Sequence, residues 1–212
     1  MDDSERPVLL TRTQKGRAVE TLLRAFLPDE DYAYVFPDEA ERAEALRRLW
    51  HSLVGYGLTF GQVYTTPTFA GVAVWFGPGN TEPSLWRMLR TGFALPRAVL
   101  AMRREARRRF ADAMNYNDAV HARLLRAPHW YLGALGVDPA RQRQGVGGKL
   151  LRPLLAQADA EGRPCYLETQ TEDNVRFYER LGFAVAEAGA VPGHPLRIWA
   201  MIRQPGDGAG GR

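Results

Sequence analysis

Apolar residues along the chain switch repeatedly between two spacings, and each switch marks a change of element. The short apolar run in "PVLLTR" predicts a strand. In "GRAVETLLRAFLPD", Val19, Leu22, Leu23 and Phe26 recur at the spacing of one helix face. "PDEAERAEALRRLWHSLVGYG" predicts a second amphipathic helix with Asp38 as its N-cap. "GQVYTTP" and "GVAVWFGP" read as a strand pair, and Pro67 and Gly71 punctuate the turn between them. From Ser84 to about Arg126 the pattern is helical, with a break expected at Pro96. "HWYLGALGV" is a strand, and "GGKLLRPLLAQADAEG" is a helix whose start Pro153 weakens or kinks. "PCYLET" is a strand and "DNVRFYERLG" a helix closed by Gly182 at its C′ position. "FAVAEAG" and "PLRIWAMIR" predict a final antiparallel pair. The order βααββαβαβαββ implies one mixed sheet covered by helices rather than regular βαβ alternation.

Composition narrows the class. The 212 residues are 45% hydrophobic and 25% charged, ordinary for one globular domain with a sizeable core. No apolar run approaches the length of a membrane span, and "MDDSERP" carries no leader pattern, so no membrane partner is expected. Cys165 is the single cysteine, which precludes an intramolecular disulfide and fits a cytoplasmic setting. The net charge of +4 is carried almost wholly by arginine. The arginine-rich "RREARRRF" lacks interleaved aromatics, so a solvated helix face is expected there and no nucleic-acid partner. The glycine-rich tail "QPGDGAGGR" reads as a flexible end.

The chemistry concentrates in "GVDPARQRQGVGGKLL", residues 136–151. A glycine-rich turn between a strand and a helix aims backbone N–H groups along the helix dipole, which suits a phosphate or pyrophosphate. Arg141 and Arg143 add charge-assisted donors. Two familiar phosphate motifs fail here. A P-loop needs Ser or Thr where Leu150 stands and glycine where Arg143 stands. A dinucleotide fingerprint needs a third glycine at Leu150 and no long loop after the strand.

"LGVDPARQRQGVGGKLL" resembles instead the acetyl-CoA motif of the GCN5-related N-acetyltransferases (GNAT), with Gln142, Gly145 and Gly147 filling its pattern. "LETQTEDNVRFYERLGF" is similar to that family's second segment through Asn174, Tyr178, Gly182 and Phe183. The two segments cover residues 129–185. "GQVYTT", "GVAVWFGP", "HWYLGALGV" and "RIWAMIR" also resemble the puromycin N-acetyltransferase branch. Arg143 departs from the pattern, standing where glycine often sits, and residues 27–60 and 84–126 match that branch only weakly.

The resemblance implies an α/β GNAT-like domain over residues 7–204, with flexible ends at 1–6 and 205–212. It implies a mixed, mostly antiparallel sheet of six to seven strands with a helical insertion between strands 3 and 4. The expected activity is acetyl-CoA-dependent N-acetylation of a small-molecule amine, such as an aminonucleoside-like antibiotic, with no metal. Leu135, Gly136 and Val137 are expected to pair with the pantetheine arm. Gln142, Arg143, Gln144, Gly145, Val146, Gly147 and Gly148 are expected to cradle the pyrophosphate, and Asn174 to hold the pantetheine or a water. Tyr178 is expected to protonate the leaving thiolate, with Glu168 or His129 as base. Other readings are a protein lysine or N-terminal acetyltransferase and, in another class, a non-catalytic acyl-CoA sensor. A monomer or a homodimer is compatible with all of these.

Overall fold

The computed structural model describes residues 5–81 and 84–206. One seven-stranded sheet runs through it in the order β1-β2-β3-β4-β5-β7-β6. The strands are β1 (Val8–Leu9), β2 (Gly61–Thr65), β3 (Gly71–Phe76), β4 (Trp130–Val137), β5 (Cys165–Thr169), β6 (Ala184–Ala190) and β7 (Arg197–Arg203). Every neighbouring pair is antiparallel except β4 and β5. Their parallel pairing consists of two registers, Trp130 with Cys165 and Tyr131 with Tyr166, after which the strands part.

Helices cover both faces of the sheet. On one face α1 (Lys15–Phe26) and α3 (Glu39–Phe60) bury Leu22, Leu46 and Val54 against Val72 and Val74. On the other, α7 (Val146–Ala160) and α8 (Glu172–Glu179) bury Leu150, Leu154 and Tyr178 against Trp75 and Leu167. Asp38 caps α3 as its sequence implies, its Oδ1 accepting from the Glu41 N–H. Pro153 is accommodated within α7, which continues to Ala160.

Two local expectations differ from what is observed. A short helix, α2 (Glu30–Val35), follows the first one, capped by Asp29 Oδ1, which accepts from the N–H groups of Asp31 and Tyr32. Six residues are too few to display a helical period. The segment after Ser84 is three helices, α4 (Leu85–Arg90), α5 (Ala94–Leu100) and α6 (Arg104–Leu124). Its breaks fall at Gly92–Phe93, both with positive φ, and before Arg104, not at Pro96. Pro96 lies in the first turn of α5, where a missing N–H leaves no helical bond unmade.

The chain ends expected to be flexible lie largely outside the described residues, at 1–4 and 207–212. Glu5 is packed in, ion-paired to Arg141 and Lys149, and the Gly206 N–H donates to Asp159 Oδ1 at 2.8 Å. Among the described residues no helix is long and apolar enough to cross a membrane.

The parting of β4 from β5 is accompanied by a bulge on the other edge of β4. Val74 of β3 faces Ala134, yet its neighbour Trp75 faces Leu132, so Gly133 is the extra residue. A Cβ at Gly133 would stand 2.7 Å from two atoms of the Phe76 ring. That ring is confined by edge contacts with Tyr56 and Tyr131 at 5.0 and 5.6 Å. Gly133→Ala is expected to cost about 1–3 kcal/mol, the usual range for overpacking a filled site. Urea unfolding of the two proteins measures it, and an unchanged midpoint would show that the ring has room to yield.

Candidate active site

Two recesses meet at the split between β4 and β5. The first lies over the loop between β4 and α7. It is lined by Leu135 and Val137 of β4, by Arg141, Gln142, Arg143, Gly145, Val146, Gly147 and Gly148, and by Asn174, Phe177 and Tyr178 of α8. It holds about 1570 Å³ of space, open to solvent.

The loop is built as an anion cradle. Gly145 is the N-cap of α7 with φ of +78°, a conformation that glycine adopts without strain, and no side chain caps the helix there. The first-turn N–H groups of α7 therefore lack an intrahelical partner. A Cβ at Gly148 would meet nothing within 4 Å, so a ligand can approach the backbone closely. Arg143 also has positive φ, +60°, at the position where glycine is common, a strained arrangement for a side chain-bearing residue. Gln142 Nε2 donates to the Val137 carbonyl at 3.3 Å, tying the loop back to the end of β4.

Cations dominate this recess. Besides Arg141 and Arg143, it is lined by Lys149, Arg152, Arg176 and Arg180, against the one carboxylate of Asp173. Arg176 is paired with Asp173 and Glu172, and Arg141 and Lys149 with Glu5. Arg143, Arg152 and Arg180 have no ion-pair partner among the described residues, which leaves them available to phosphate oxygens. The residues present thus fit the diphosphate and phosphate groups of a coenzyme A, and the parted β4 edge fits an extended arm.

The second recess, about 920 Å³, lies on the far side of β4. It is walled by Leu132, Gly133, Ala134 and Leu135 of β4, Glu168 and Thr169 of β5, and residues of α1, α2, α3 and α6. Leu135, Asn174 and Tyr178 line both recesses. Thr171 caps α8 through the Asn174 N–H, and the next turn of the helix presents Tyr178 to both. Burial pushes the Tyr178 phenol well above its ordinary pKa, and its hydroxyl has no hydrogen-bond partner among the described residues. It is a protonated, uncommitted donor.

Glu168 faces the second recess from the end of β5. Tyr131 Oη donates to its Oε2 at 2.5 Å, while Oε1 is buried with no partner. Burial lifts the carboxyl pKa to about 7 against the opposing pull of the Tyr131 and Tyr166 hydroxyls. The Tyr166 hydroxyl lies near enough to exert that pull without making a hydrogen bond.

Three of the expected site residues lie outside both linings. Gly136 is buried beneath α1, where a Cβ would meet Leu22 at 2.8 Å. Gln144 turns back to the Ala140 carbonyl at 3.1 Å. His129 faces His121 of α6, the two Nε2 atoms 2.7 Å apart. Its Nδ1 is 2.6 Å from the Ala127 carbonyl, an acceptor, so Nδ1 carries a hydrogen, and the two Nε2 atoms share another between them. Burial, with His129 beside it, lowers the His121 pKa to about 4, so His121 is neutral at pH 7. His129 is thus part of an internal pair, just before the two registers at which β4 and β5 still pair.

Sequence patterns did not reveal the basic side chains at Arg176 and Arg180, although their spacing follows that of Asn174 and Tyr178 along α8. Nor did they reveal Phe26, Asp29, Asp31, Tyr32, Trp50 and Asn117, which come to the second recess from four helices and the turn before α2. Among the described residues, no three His, Cys, Asp or Glu side chains are grouped so as to hold a metal ion.

Comparison with known proteins agrees with this geometry. Residues 98–183 match the model of the Acetyltransferase (GNAT) family. The uncharacterized N-acetyltransferase C550.08 of Schizosaccharomyces pombe is 30% identical over 199 residues, covering 89% of this chain and 79% of that protein. A Corynebacterium glutamicum structure described as histone acetyltransferase HPA2 and related acetyltransferase superposes with a TM-score of 0.65 at 22% identity, over 94% of this chain and 96% of the other. Arylalkylamine N-acetyltransferase 2 of Aedes aegypti gives 0.60 at 15% identity, over 94% and 98%. The fold, the loop and the family matches make this chain an N-acetyltransferase of the GNAT family, whose members use acetyl-CoA as co-substrate.

Proposed function

We propose that the protein transfers an acetyl group from acetyl-CoA to the amine of a small molecule. The observation that carries this reading is the meeting, at Tyr178, of a basic recess with one that, among the described residues, holds carboxylates and no basic side chain. The first suits an anionic donor and the second a cationic acceptor. The second recess is walled by a sheet and several helices, which favours a small molecule over a segment of folded protein. The class includes the aminonucleoside-like antibiotics implied by the puromycin branch.

When bound, acetyl-CoA supplies an activated acyl carbon and a thiolate leaving group. Arg143, Arg152, Arg180 and the α7 N-terminus hold its phosphates, and Leu135 and Val137 align its arm. Glu168 takes a proton from the acceptor ammonium at Oε1, the carboxylate oxygen without a hydrogen-bond partner among the described residues. A base with a pKa of about 7 is matched to work near neutral pH. Tyr178 Oη gives a proton to the departing thiolate and regains the one that the acetylated nitrogen sheds, and Asn174 steadies the arm or a water beside it. A donor hydroxyl and a tuned base at one junction argue for catalysis over acyl-CoA sensing.

Three measurements test this reading. Gly148→Glu places an anion in open space at the third residue of α7, where an acidic side chain favours the helix. The variant is expected to fold normally and, by calorimetry, to bind acetyl-CoA at least tenfold more weakly. Unchanged affinity would remove the loop as the phosphate site. Tyr178→Phe keeps the ring and is expected to lower kcat by about 10² to 10⁴ with little change in the KM for acetyl-CoA. A kcat within threefold of native, where chemistry limits the rate, excludes Tyr178 as the acid. For Glu168, kcat/KM is expected to rise as pH passes about 7, because the carboxylate form is the active one. In Glu168→Gln that limb disappears along with most of the rate; a limb that persists assigns the proton to another group.

A further inference from the structure

The acceptor recess holds more negative charge than one amine requires. Among the described residues Asp29, Asp31 and Glu168 line it and no Lys, Arg or His does, in a chain with 28 Lys and Arg against 24 Asp and Glu. Elsewhere carboxylates find arginines, as in Arg24–Asp138, Arg47–Glu20 and Arg123–Glu187. Asp29 spends one oxygen capping α2. Asp31 has neither a hydrogen bond to its side chain nor an ion pair among the described residues, and the charges acting on it are the carboxylates of Asp29 and Glu30. Burial and that repulsion lift its pKa to about 6. Partly buried like charges without a counter-ion destabilise a fold unless something positive joins them.

The surroundings indicate what joins them. Phe26, Tyr32 and Trp50 stand together on the same wall, with centroids 4.8 to 5.9 Å apart. Aromatic faces beside carboxylates attract organic cations. Asn117 lines the recess independently, from α6. It is 7% exposed, and its Oδ1 is buried without a partner. That unmet acceptor calls for a donor from a ligand. The rings beside the acids suit an organic cation.

We infer that the acceptor is dibasic: its reacting amine lies at Glu168 and Tyr178, and a second cationic group binds at Asp31 and Asp29 beside the Phe26, Tyr32 and Trp50 rings. Asn117 accepts a hydrogen bond from the same ligand. This inference rests on the amine-acetylation reading above and adds the charge of the substrate to it.

The test compares α,ω-diaminoalkanes of three to six carbons with monoamines of equal length on the native protein, following thiol release. At least one diamine is expected to exceed its monoamine by tenfold or more in kcat/KM. Asp31→Asn is expected to raise the KM for that diamine at least tenfold more than it raises that for the monoamine. Equal kcat/KM values for diamine and monoamine at every length, or a diamine advantage untouched by Asp31→Asn, would overturn the inference while leaving monoamine acetylation standing. If no amine is turned over, the acetylation reading itself fails, and calorimetry with the diamines alone still tests the site. Binding that weakens at least tenfold in Asp31→Asn supports the second cation site, and no binding overturns it.

Discussion

The arrangement depends on a sheet that stops pairing partway along. A parallel strand pair normally runs its full length, because every buried N–H and C=O left without a partner costs free energy. Here β4 and β5 pair at two registers and then separate. The backbone groups along the parted edges are thereby offered to a ligand, and both recesses form around the opening. Gly133 bulges toward β3 where only a hydrogen in place of Cβ fits beside the Phe76 ring, which bends β4 away from its neighbour. The loop to α7 then begins where β4 ends, so the anion cradle and the opening are consecutive in the chain as well as in space.

Charge is partitioned across the same opening. Arginines and Lys149 gather on the α7 and α8 side, and carboxylates on the α2 side. Tyr178 lies at the boundary, where a neutral hydroxyl can serve either partner. A chain with a net charge of only +4 can present a strongly basic and a strongly acidic pocket, because each sign is confined to its own side of one strand.

The sequence made visible what is local. The hairpin of β2 and β3, the amphipathic faces of α1 and α3 and the glycine turn before α7 all depend on residues within a few positions of one another, so period and punctuation expose them. The junction residues Asn174 and Tyr178 were legible through a family pattern, and Glu168 through its place at the end of a strand. The carboxylates of the second recess were not. Asp29 and Asp31 belong to a helix too short to show a period, and only the packing of α1, α3 and α6 around them turns them inward. Pro96 misled because proline in a first turn looks the same in sequence as proline at a break. His129 misled because its partner, His121, arrives from a helix that no local pattern links to it.

The tyrosine pair between Glu168 and His121 separates two groups that burial drives in opposite directions. Tyr131 donates to Glu168 and sits 5.2 Å from the His121 ring, while Tyr166 stacks on His121 at 4.5 Å. Glu168 is raised from 4.5 to about 7, so the folded state holds its proton more tightly than the unfolded chain, and that stability drains away as pH climbs from 4.5 to 7. His121 is lowered from 6.5 to about 4, so the unfolded chain takes up its proton first, and stability accumulates as pH climbs from 4 to 6.5. Each contribution is on the order of 3 kcal/mol, since a tenfold change in proton affinity corresponds to about 1.4 kcal/mol. Across their shared range the two slopes oppose one another, so the pH dependence that Glu168 imposes on folding is offset by that of His121. His121, one tyrosine ring away from Glu168, thus acts as a counterweight to the buried carboxyl as pH climbs from 4.5 to 6.5.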